Sequence, residues 1–418
     1  MASFFQLKER RVIPNWRDYE RTVLLGELNS SNNTRPEINI DISRQIRDWN
    51  SENSIGNAAD LLTSAYLSKN KDSVELHQAS LFVLENKNKS SKPLIDLANE
   101  IISPRSRDTL HAIDAMGLKD VIEINSQKTL HFIAKIIHGL KNNVRANPHN
   151  AIWWVELSRL YSIVGQLDQA LKTMNIAVNL APDNRFVLRS ATRLYIHFDQ
   201  PDLALYNLRK STRTKFDPWL LSAHIATTSL LDKHQVNANT AKDLVSSKKH
   251  SDFDITELTS SLGTLEYTDG SIKNSKKFFD ISRKAPNDNS LAQLEWISKK
   301  DNRFSIDTLA YKNVLNPYEA YAIEQLENSN WVEAANYSIK WLYDMPYSSR
   351  PVVLGSFVCS AFLDDQEAAV SLCKLGLIAN PTDATVINNL IYALALSDKV
   401  EEARIYAKQL SNISREDL

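Results

Sequence analysis

The residues that could carry out chemistry do not form a known catalytic or metal-binding constellation. The nine histidines are dispersed, and His131 and His138 lie seven residues apart with no acidic or Cys partner at ligand spacing. No P-loop, Cys-x-x-Cys, His-Glu-x-x-His, Gly-x-Ser-x-Gly or calcium-loop pattern occurs. The adjacent carboxylates Glu401 and Glu402 lie at a predicted helix start, where they favour the positive end of the helix dipole. The sequence therefore predicts a protein that is not an enzyme and has no catalytic residue, metal or cofactor.

Composition narrows the classes of protein further. Only 9 of the 418 residues are glycine, and phosphate-cradling loops and tight hairpins both require glycine, so the scarcity favours helices. The formal net charge of −1 gives no general attraction to nucleic acid or acidic membranes, which disfavours a nucleic-acid partner. No window approaches 18 uninterrupted apolar residues, so the sequence predicts no transmembrane helix and no membrane partner.

The two cysteines and the amino terminus indicate a cellular compartment. Cys359 and Cys373 both lie on apolar faces of predicted helices, where a free cysteine behaves as a small hydrophobic residue. Unpaired cysteines fit a reducing compartment. The apolar run in the first eleven residues is too short for a secretory signal. We therefore expect a cytoplasmic protein.

The most regular pattern in the chain lies in residues 151–184. Its residue types follow the spacing W-x2-L-G-x2-Y…A-x3-F…P over 34 residues, with Ser in the usual Gly place and Met in the usual Phe place. The matching residues are Trp154, Leu157, Ser158, Tyr161, Gly165, Ala170, Met174, Ala177 and Pro182. This segment resembles a tetratricopeptide (TPR) repeat. The resemblance implies two antiparallel helices per repeat, stacking of repeats into an α-solenoid, and binding of other proteins.

Elementary rules reproduce the same hairpin from the residues. An apolar face at helical spacing predicts the first helix, and Gly165 permits the chain reversal because glycine accepts positive φ. The small Ala170 lets the second helix approach closely, and Pro182 ends that helix because it lacks an N–H group. Such a hairpin leaves an apolar face uncovered, so further hairpins must stack on it.

The fit to this repeat divides the chain into six segments and predicts an all-α solenoid of TPR-type helical hairpins, bent or interrupted in the middle. The segments are an irregular N-terminal arm or cap (1–55), an irregular helical region of degenerate repeats or a separate helical domain (56–144), a regular TPR block (145–220), diverged or interrupted repeats (221–315), a regular C-terminal TPR block (316–410) and a polar tail (411–418).

The N-terminal arm has two possible roles. It carries aromatic residues among several arginines, and residues 30–36 read as a loop. One possibility is that it folds back over the first helices, because the ends of a solenoid must be covered. The other is that it docks on a partner, since aromatic residues and arginine are enriched at protein interfaces.

The resemblance also implies which residues face the concave groove, because the first helix of each TPR repeat lines it. In the first block these residues are Arg159, Phe186, Arg189, Arg193 and His197. Arginine suits bidentate recognition of carboxylate or phosphate groups. The alternative is a solvated face paired with local acids. If the groove is a binding site, Arg189→Glu with Arg193→Glu should abolish binding and leave the melting temperature nearly unchanged.

The C-terminal block offers a groove of different character. Its inward-facing residues are Leu354, Val358, Phe362, Asn388 and Tyr392. This surface is apolar with one amide, which suits a helix or an extended peptide laid in a groove. The alternative is that the polar tail covers it.

Together these features predict a non-catalytic scaffold, adaptor or regulatory subunit that holds one or more partner proteins in a concave groove. Two alternatives stay open. One is a ligand- or nucleic-acid-responsive sensor that changes the curvature of the solenoid, with the residues around Arg159 to His197 as its basic surface. The other is an enzyme with a cryptic site in the N-terminal region.

Overall fold

A computed structural model describes residues 10–28, 42–68, 73–102, 126–306, 308–311 and 314–413. These residues form 21 α-helices, numbered here in chain order, and no strand. The helices are α1 (Tyr19–Leu24), α2 (Ser43–Ser51), α3 (Ile55–Ser68), α4 (Val74–Glu85), α5 (Lys92–Ile102), α6 (Ser126–Ala146), α7 (Ala151–Ile163), α8 (Leu167–Leu180), α9 (Arg185–His197), α10 (Pro201–Lys210), α11 (Pro218–Leu230), α12 (Ala238–Ser246), α13 (Thr256–Thr268), α14 (Ile272–Ser282), α15 (Asp288–Lys300), α16 (Tyr318–Glu327), α17 (Trp331–Asp344), α18 (Ser349–Phe362), α19 (Gln366–Ala379), α20 (Ala384–Leu396) and α21 (Val400–Ser411).

The chain divides into two compact units. The smaller unit comprises residues 36–116 and 142–148, and the larger comprises residues 1–35, 117–141 and 149–418. The division cuts through the predicted N-terminal arm: α1 belongs to the larger unit and α2 to the smaller. The predicted tail at 411–418 lies mostly outside the described residues, which end at Ile413.

The described part of the smaller unit packs α2 to α5 around an apolar core. Leu61, Leu62, Leu76 and Val83 are completely buried there. Trp49 closes one side of the core, with its ring edge-on to Phe82 at 5.4 Å between centroids. Each helix contacts its neighbours in the chain, as antiparallel helices joined by short connections do.

The larger unit consists mainly of helical hairpins in which most helices pack on the next, and the predicted α-solenoid of TPR-type hairpins is confirmed. The TPR-like segment at residues 151–184 forms α7 and α8. Leu157, Tyr161 and Met174 are buried between or beside these helices. Ser158, which stands in the usual glycine place, donates a hydrogen bond to the carbonyl of Ala170 at 2.7 Å. The hydroxyl therefore links the two helices of this hairpin directly.

Gly165 has a second role besides the turn after α7. Its φ is +70°, and a Cβ at this position would overlap the carbonyl oxygen of Ile378 near the end of α19. The turn of the first regular block thus lies directly against the C-terminal block, and α7 contacts α19. A side chain at this position would force the two blocks apart.

The N-terminal segment, residues 10–28, lies inside the larger unit. Residues 10–18 are non-helical, and a three-residue turn is closed where the Ile13 N–H donates to the Arg11 carbonyl at 2.8 Å. Val12 and Trp16 are each only 1 % exposed. The contacts of the segment reach helices from α7 to α17, so it does more than cover the first helices.

Candidate functional site: a groove filled by the N-terminal segment

The polar side chains of six helices converge on the N-terminal segment. We call the surface that they form the filled groove. Its lining residues are Glu156 on α7, Arg189 and Arg193 on α9, Glu257 on α13, Asp288, Asn289 and Gln293 on α15, Glu319 on α16 and Asp344 on α17. Since a buried charge is costly unless it is paired, each charged group here requires a partner.

Two amides of α15 hold the main chain of the segment. Asn289 Nδ2 donates to the Ile13 carbonyl at 3.0 Å, and Gln293 Nε2 donates to the Arg10 carbonyl at 3.0 Å. The two residues are four apart on one helix, so they lie on the same face. In the middle of the segment, where α1 begins, the Tyr19 N–H donates to Glu156 Oε1 at 2.9 Å. These contacts do not depend on the side chains of the bound segment.

Arg17 lies in a pocket of carboxylates. Its Nε donates to both oxygens of Asp344, at 2.9 and 2.8 Å, and its Nη2 pairs with Asp288. The side chain of Arg17 is 2 % exposed. Although burial opposes the charge, Asp288 and Asp344 raise the pKa of Arg17 well above its usual value. Arg21 forms a further ion pair with Asp344 at 2.9 Å.

Arg10 is bound by a second set of groups. Its guanidinium donates to both oxygens of Glu319 at 3.1 Å, to Gln293 Oε1 at 2.8 Å and to Asn289 Oδ1 at 2.9 Å. Arg350 also pairs with Glu319, at 2.8 Å. Burial alone would raise the pKa of Glu319, but Arg10 and Arg350 lower it to about 2. The carboxylate is therefore ionised across the physiological range.

At the C-terminal end of the segment the charges are exchanged: the segment supplies the carboxylate, Glu27, and the groove supplies the arginine. Arg189 donates to Glu27 Oε2 at 2.8 Å and to Glu257 Oε2 at 2.7 Å. Burial raises the pKa of Glu27 to about 7, against the opposing effect of Arg189. Burial also acts on Glu257, but Arg189 outweighs it and the pKa of Glu257 is lowered. One guanidinium thus serves two carboxylates, one from the segment and one from the groove.

The structure places the predicted first-block residues in or beside the filled groove. Arg189 contacts Glu27, Arg193 donates to Asn15 Oδ1 at 3.1 Å, and Phe186 packs edge-on to Tyr19 at 5.1 Å. Arg159 pairs with Glu156 on its own helix at 3.2 Å.

His197 lies 5.3 Å from the Tyr347 ring, and burial lowers its pKa to about 4. It is therefore neutral at physiological pH. Whether the five residues bind a partner stays a prediction.

The sequence analysis expects Arg189→Glu with Arg193→Glu to leave the melting temperature nearly unchanged, and this geometry does not agree with that expectation. Arg189 is 2 % exposed and lies between two carboxylates, and its guanidinium also stacks on the Trp219 ring at 4.9 Å. Glutamate at this position would place three carboxylates together in a buried site. The melting temperature should fall as well as any binding, so that pair of substitutions cannot separate binding from folding.

The predicted C-terminal residues divide into buried and exposed sets. Leu354 and Val358 are buried, whereas Asn388 is exposed. Phe362 is 44 % exposed and Tyr392 is 47 % exposed. We call these three exposed residues, Phe362, Asn388 and Tyr392, the open face. Phe362 stacks on Trp331 with 3.9 Å between ring centroids and an interplanar angle of 6°, so it is held in place while remaining accessible.

Sequence reasoning missed the acidic and amide half of the filled groove, namely Glu257, Asp288, Asn289, Gln293, Glu319 and Asp344. The repeat motif gave no register between residues 221 and 315, so the inward positions of α13 and α15 were not assigned. One signal was present. Asn289 and Gln293 are four residues apart, the spacing of one face of a helix, and they are interspersed with the apolar Leu291, Ala292 and Leu294. Such a pattern requires polar partners elsewhere in the chain.

Within the described ranges, no group of three or more His, Cys, Asp or Glu side chains could hold a metal ion. Over the same part of the chain, no helix combines the length and apolar character needed to cross a membrane.

Comparison with known proteins gives likenesses among solved structures. No protein-family model and no curated protein matches the sequence. Among solved structures, the chain is similar to the crystal structure of the P58(IPK) TPR domain, with 12 % sequence identity, coverage of 90 % of this chain and 94 % of that chain, and a TM-score of 0.25. The assignment of TPR-type hairpins to this chain rests on its own helices and on the buried motif residues of α7 and α8.

Proposed function

We propose that the protein is a non-catalytic interaction scaffold, an adaptor or regulatory subunit, whose larger unit holds a partner-protein segment with a non-helical first part in the filled groove. The observation that supports this proposal is that the groove already binds a segment of that kind. Asn289 and Gln293 donate to its main-chain carbonyls. Every polypeptide has such carbonyls, so these two hydrogen bonds do not depend on the sequence of the bound segment. In this proposal residues 10–28 are a resident occupant that a partner replaces.

The predicted first-block residues take a defined part in this proposal. Arg189 and Arg193 bind Glu27 and Asn15 of the resident segment, and they would bind a carboxylate and an amide at the same places on a partner. The open face is proposed as a second contact surface, because Phe362 and Tyr392 expose aromatic area that proteins use at interfaces.

We further propose a cytoplasmic location. The supporting observation is that Cys359 and Cys373 are buried free thiols, and burial raises the pKa of Cys359 to about 11. Such thiols are unreactive in a reducing compartment. A sensor that responds to a ligand or nucleic acid by changing curvature stays an alternative.

The test uses the full chain with a specific protease site inserted in the predicted loop at 30–36. After cleavage of the folded protein, a dye-labelled peptide of residues 10–28 is added in excess and its anisotropy is followed. We expect the labelled peptide to replace the cleaved N-terminal fragment, and Gln293→Ala to speed its release. The exposed amide Gln169 supplies the control variant Gln169→Ala, which should behave as wild type. If the cleaved fragment never exchanges short of unfolding, the groove is a permanent core and the proposal fails.

A further inference from the structure

The carboxylate pockets that bind the resident segment differ in whether the groove itself supplies a cation for them when the segment is absent. Among the described residues, the cations that pair with Asp288 and Asp344 are Arg17 and Arg21, both in the segment. Glu319 would keep Arg350 on its own side of the groove. An occupant that lacked a cation at the Arg17 position would leave the buried Asp288 without a cation and Asp344 with at most a cation at the Arg21 position, which is strongly unfavourable.

An aromatic pocket lies beside the Arg17 pocket. Trp16 is buried against Tyr347, with 5.3 Å between ring centroids. Its ring nitrogen makes no hydrogen bond with any described residue. The pocket therefore recognises a large aromatic ring and not an indole N–H donor. Arg17 lies seven positions after Arg10. Gln293 contacts the main chain at Arg10, and Asn289 contacts it between the two arginines, at Ile13.

We infer that the filled groove selects a partner segment with two arginines seven residues apart and a large aromatic residue directly before the second arginine. This inference rests on the proposed function and names the chemistry of the partner. Residues 10–28 carry the resident copy of the pattern, so the partner segment and the resident segment compete for one site. Arginine is required at the second position because Asp344 receives its planar guanidinium through both carboxylate oxygens.

The inference predicts an order among the contacts. The second arginine should contribute most, because Arg17 pairs with two buried carboxylates, Asp288 and Asp344, of which Asp344 also has Arg21. The first arginine should contribute less, because Glu319 also has Arg350. The aromatic position should accept phenylalanine. Leu24, which is 74 % exposed, should contribute nothing.

These differences can be measured with variant peptides, so that the protein itself is unchanged and its folding is not in question. Peptides of residues 10–28 compete with the labelled wild-type peptide on the cleaved full chain. Relative to wild type, the Arg17→Ala peptide should bind about 100-fold more weakly and the Arg10→Ala peptide about 10-fold more weakly. The Arg17→Lys peptide should lose about 10-fold because lysine cannot make the bidentate contact.

The Trp16→Phe and Leu24→Ala peptides should bind within about threefold of wild type. If the wild-type peptide exchanges but the Arg10→Ala and Arg17→Ala peptides bind as well as it does, the arginine pattern is wrong and the proposed function stands. If the wild-type peptide does not exchange at all, both fail.

Discussion

The filled groove and the open face have the same predicted role, partner binding, but the first is occupied by the chain itself and the second is exposed. The filled groove is lined mainly by charged residues and is occupied by the chain's own residues 10–28. The open face consists of Phe362, Asn388 and Tyr392 and remains exposed. Both sets were identified by the same rule, the inward positions of the first helix of a repeat.

The difference follows from the cost of burying charge compared with the cost of exposing an aromatic ring. A guanidinium such as that of Arg189 can be buried only with carboxylates around it, and Glu27 and Glu257 supply them. An exposed ring such as that of Tyr392 loses little, because much of any protein surface is apolar. Charge in the groove therefore recruits an occupant within the chain, whereas the apolar surface stays free for one from outside.

The largest effect is expected from Arg17→Ala. This change leaves Asp288 without the cation that pairs with it and leaves Asp344 with Arg21 alone. Removing one partner of a buried ion pair costs about 3–5 kcal/mol, which chemical denaturation would detect. The control is Arg404→Ala, which removes an exposed pair with Glu401 and should cost less than about 1 kcal/mol. Equal effects of the two changes would show that the filled groove does not support the fold.

Gly165→Ala is expected to have the next largest effect, and it probes how the two blocks meet. Alanine at φ +70° is strained, and its Cβ would overlap the Ile378 carbonyl, for a total cost of about 2–4 kcal/mol. Gly270 has a similar φ of +78° with nothing near its Cβ position. Gly270→Ala should therefore cost only the backbone strain, about 1–2 kcal/mol. If the two melting temperatures fall equally, the first and last blocks are not in contact at Gly165.

Glu27 should make the stability of the filled groove depend on pH. Burial raises its pKa from 4.5 to about 7 in the folded protein, so the folded state holds the proton more tightly than the unfolded chain. This contribution is fully present below pH 4.5 and is lost as the pH rises to about 7. Over that interval the unfolding free energy of the wild type should fall by about 1–3 kcal/mol relative to Glu27→Gln.

The measurement is the difference between the two proteins in denaturant melts from pH 4.5 to 7.5. Glu156 and His197 also titrate abnormally, but they do so in both proteins and their effects cancel in the difference. Glu401→Gln, at an exposed position, is the control and should show no pH-dependent difference. A flat difference for Glu27→Gln as well would mean that Glu27 is not buried beside Arg189.

Local rules predicted the repeats well and the contents of the groove only in part. Gly165, Ala170 and Met174 are local signals, because each acts within one hairpin, and the hairpin of α7 and α8 forms as they indicate. The pairing of Arg17 with Asp344 joins residues 327 positions apart, and no local pattern specifies such a pair. The arginines of the arm were recognisable as interface-type residues. Asp288 and Asn289 lie where the repeat register was lost, and Asp344 lies on the second helix of a repeat, outside the inward positions that the motif indicates. The sequence therefore could not show that the interface is internal.

The smallest effect on stability is expected from Phe362→Ala with Tyr392→Ala on the open face. The first change loses one stacked pair with Trp331, worth about 1 kcal/mol, and the second removes a ring that is already 47 % exposed. Peptide exchange in the filled groove should stay unchanged, because the hydrogen bonds and ion pairs that hold residues 10–28 there come from other side chains. A partner of the open face should be absent when the double variant is isolated under native conditions from its own cells, and present with the wild type. If instead the double variant keeps every stoichiometric partner of the wild type, the open face has no role in binding them, and the filled groove becomes the one surface to test.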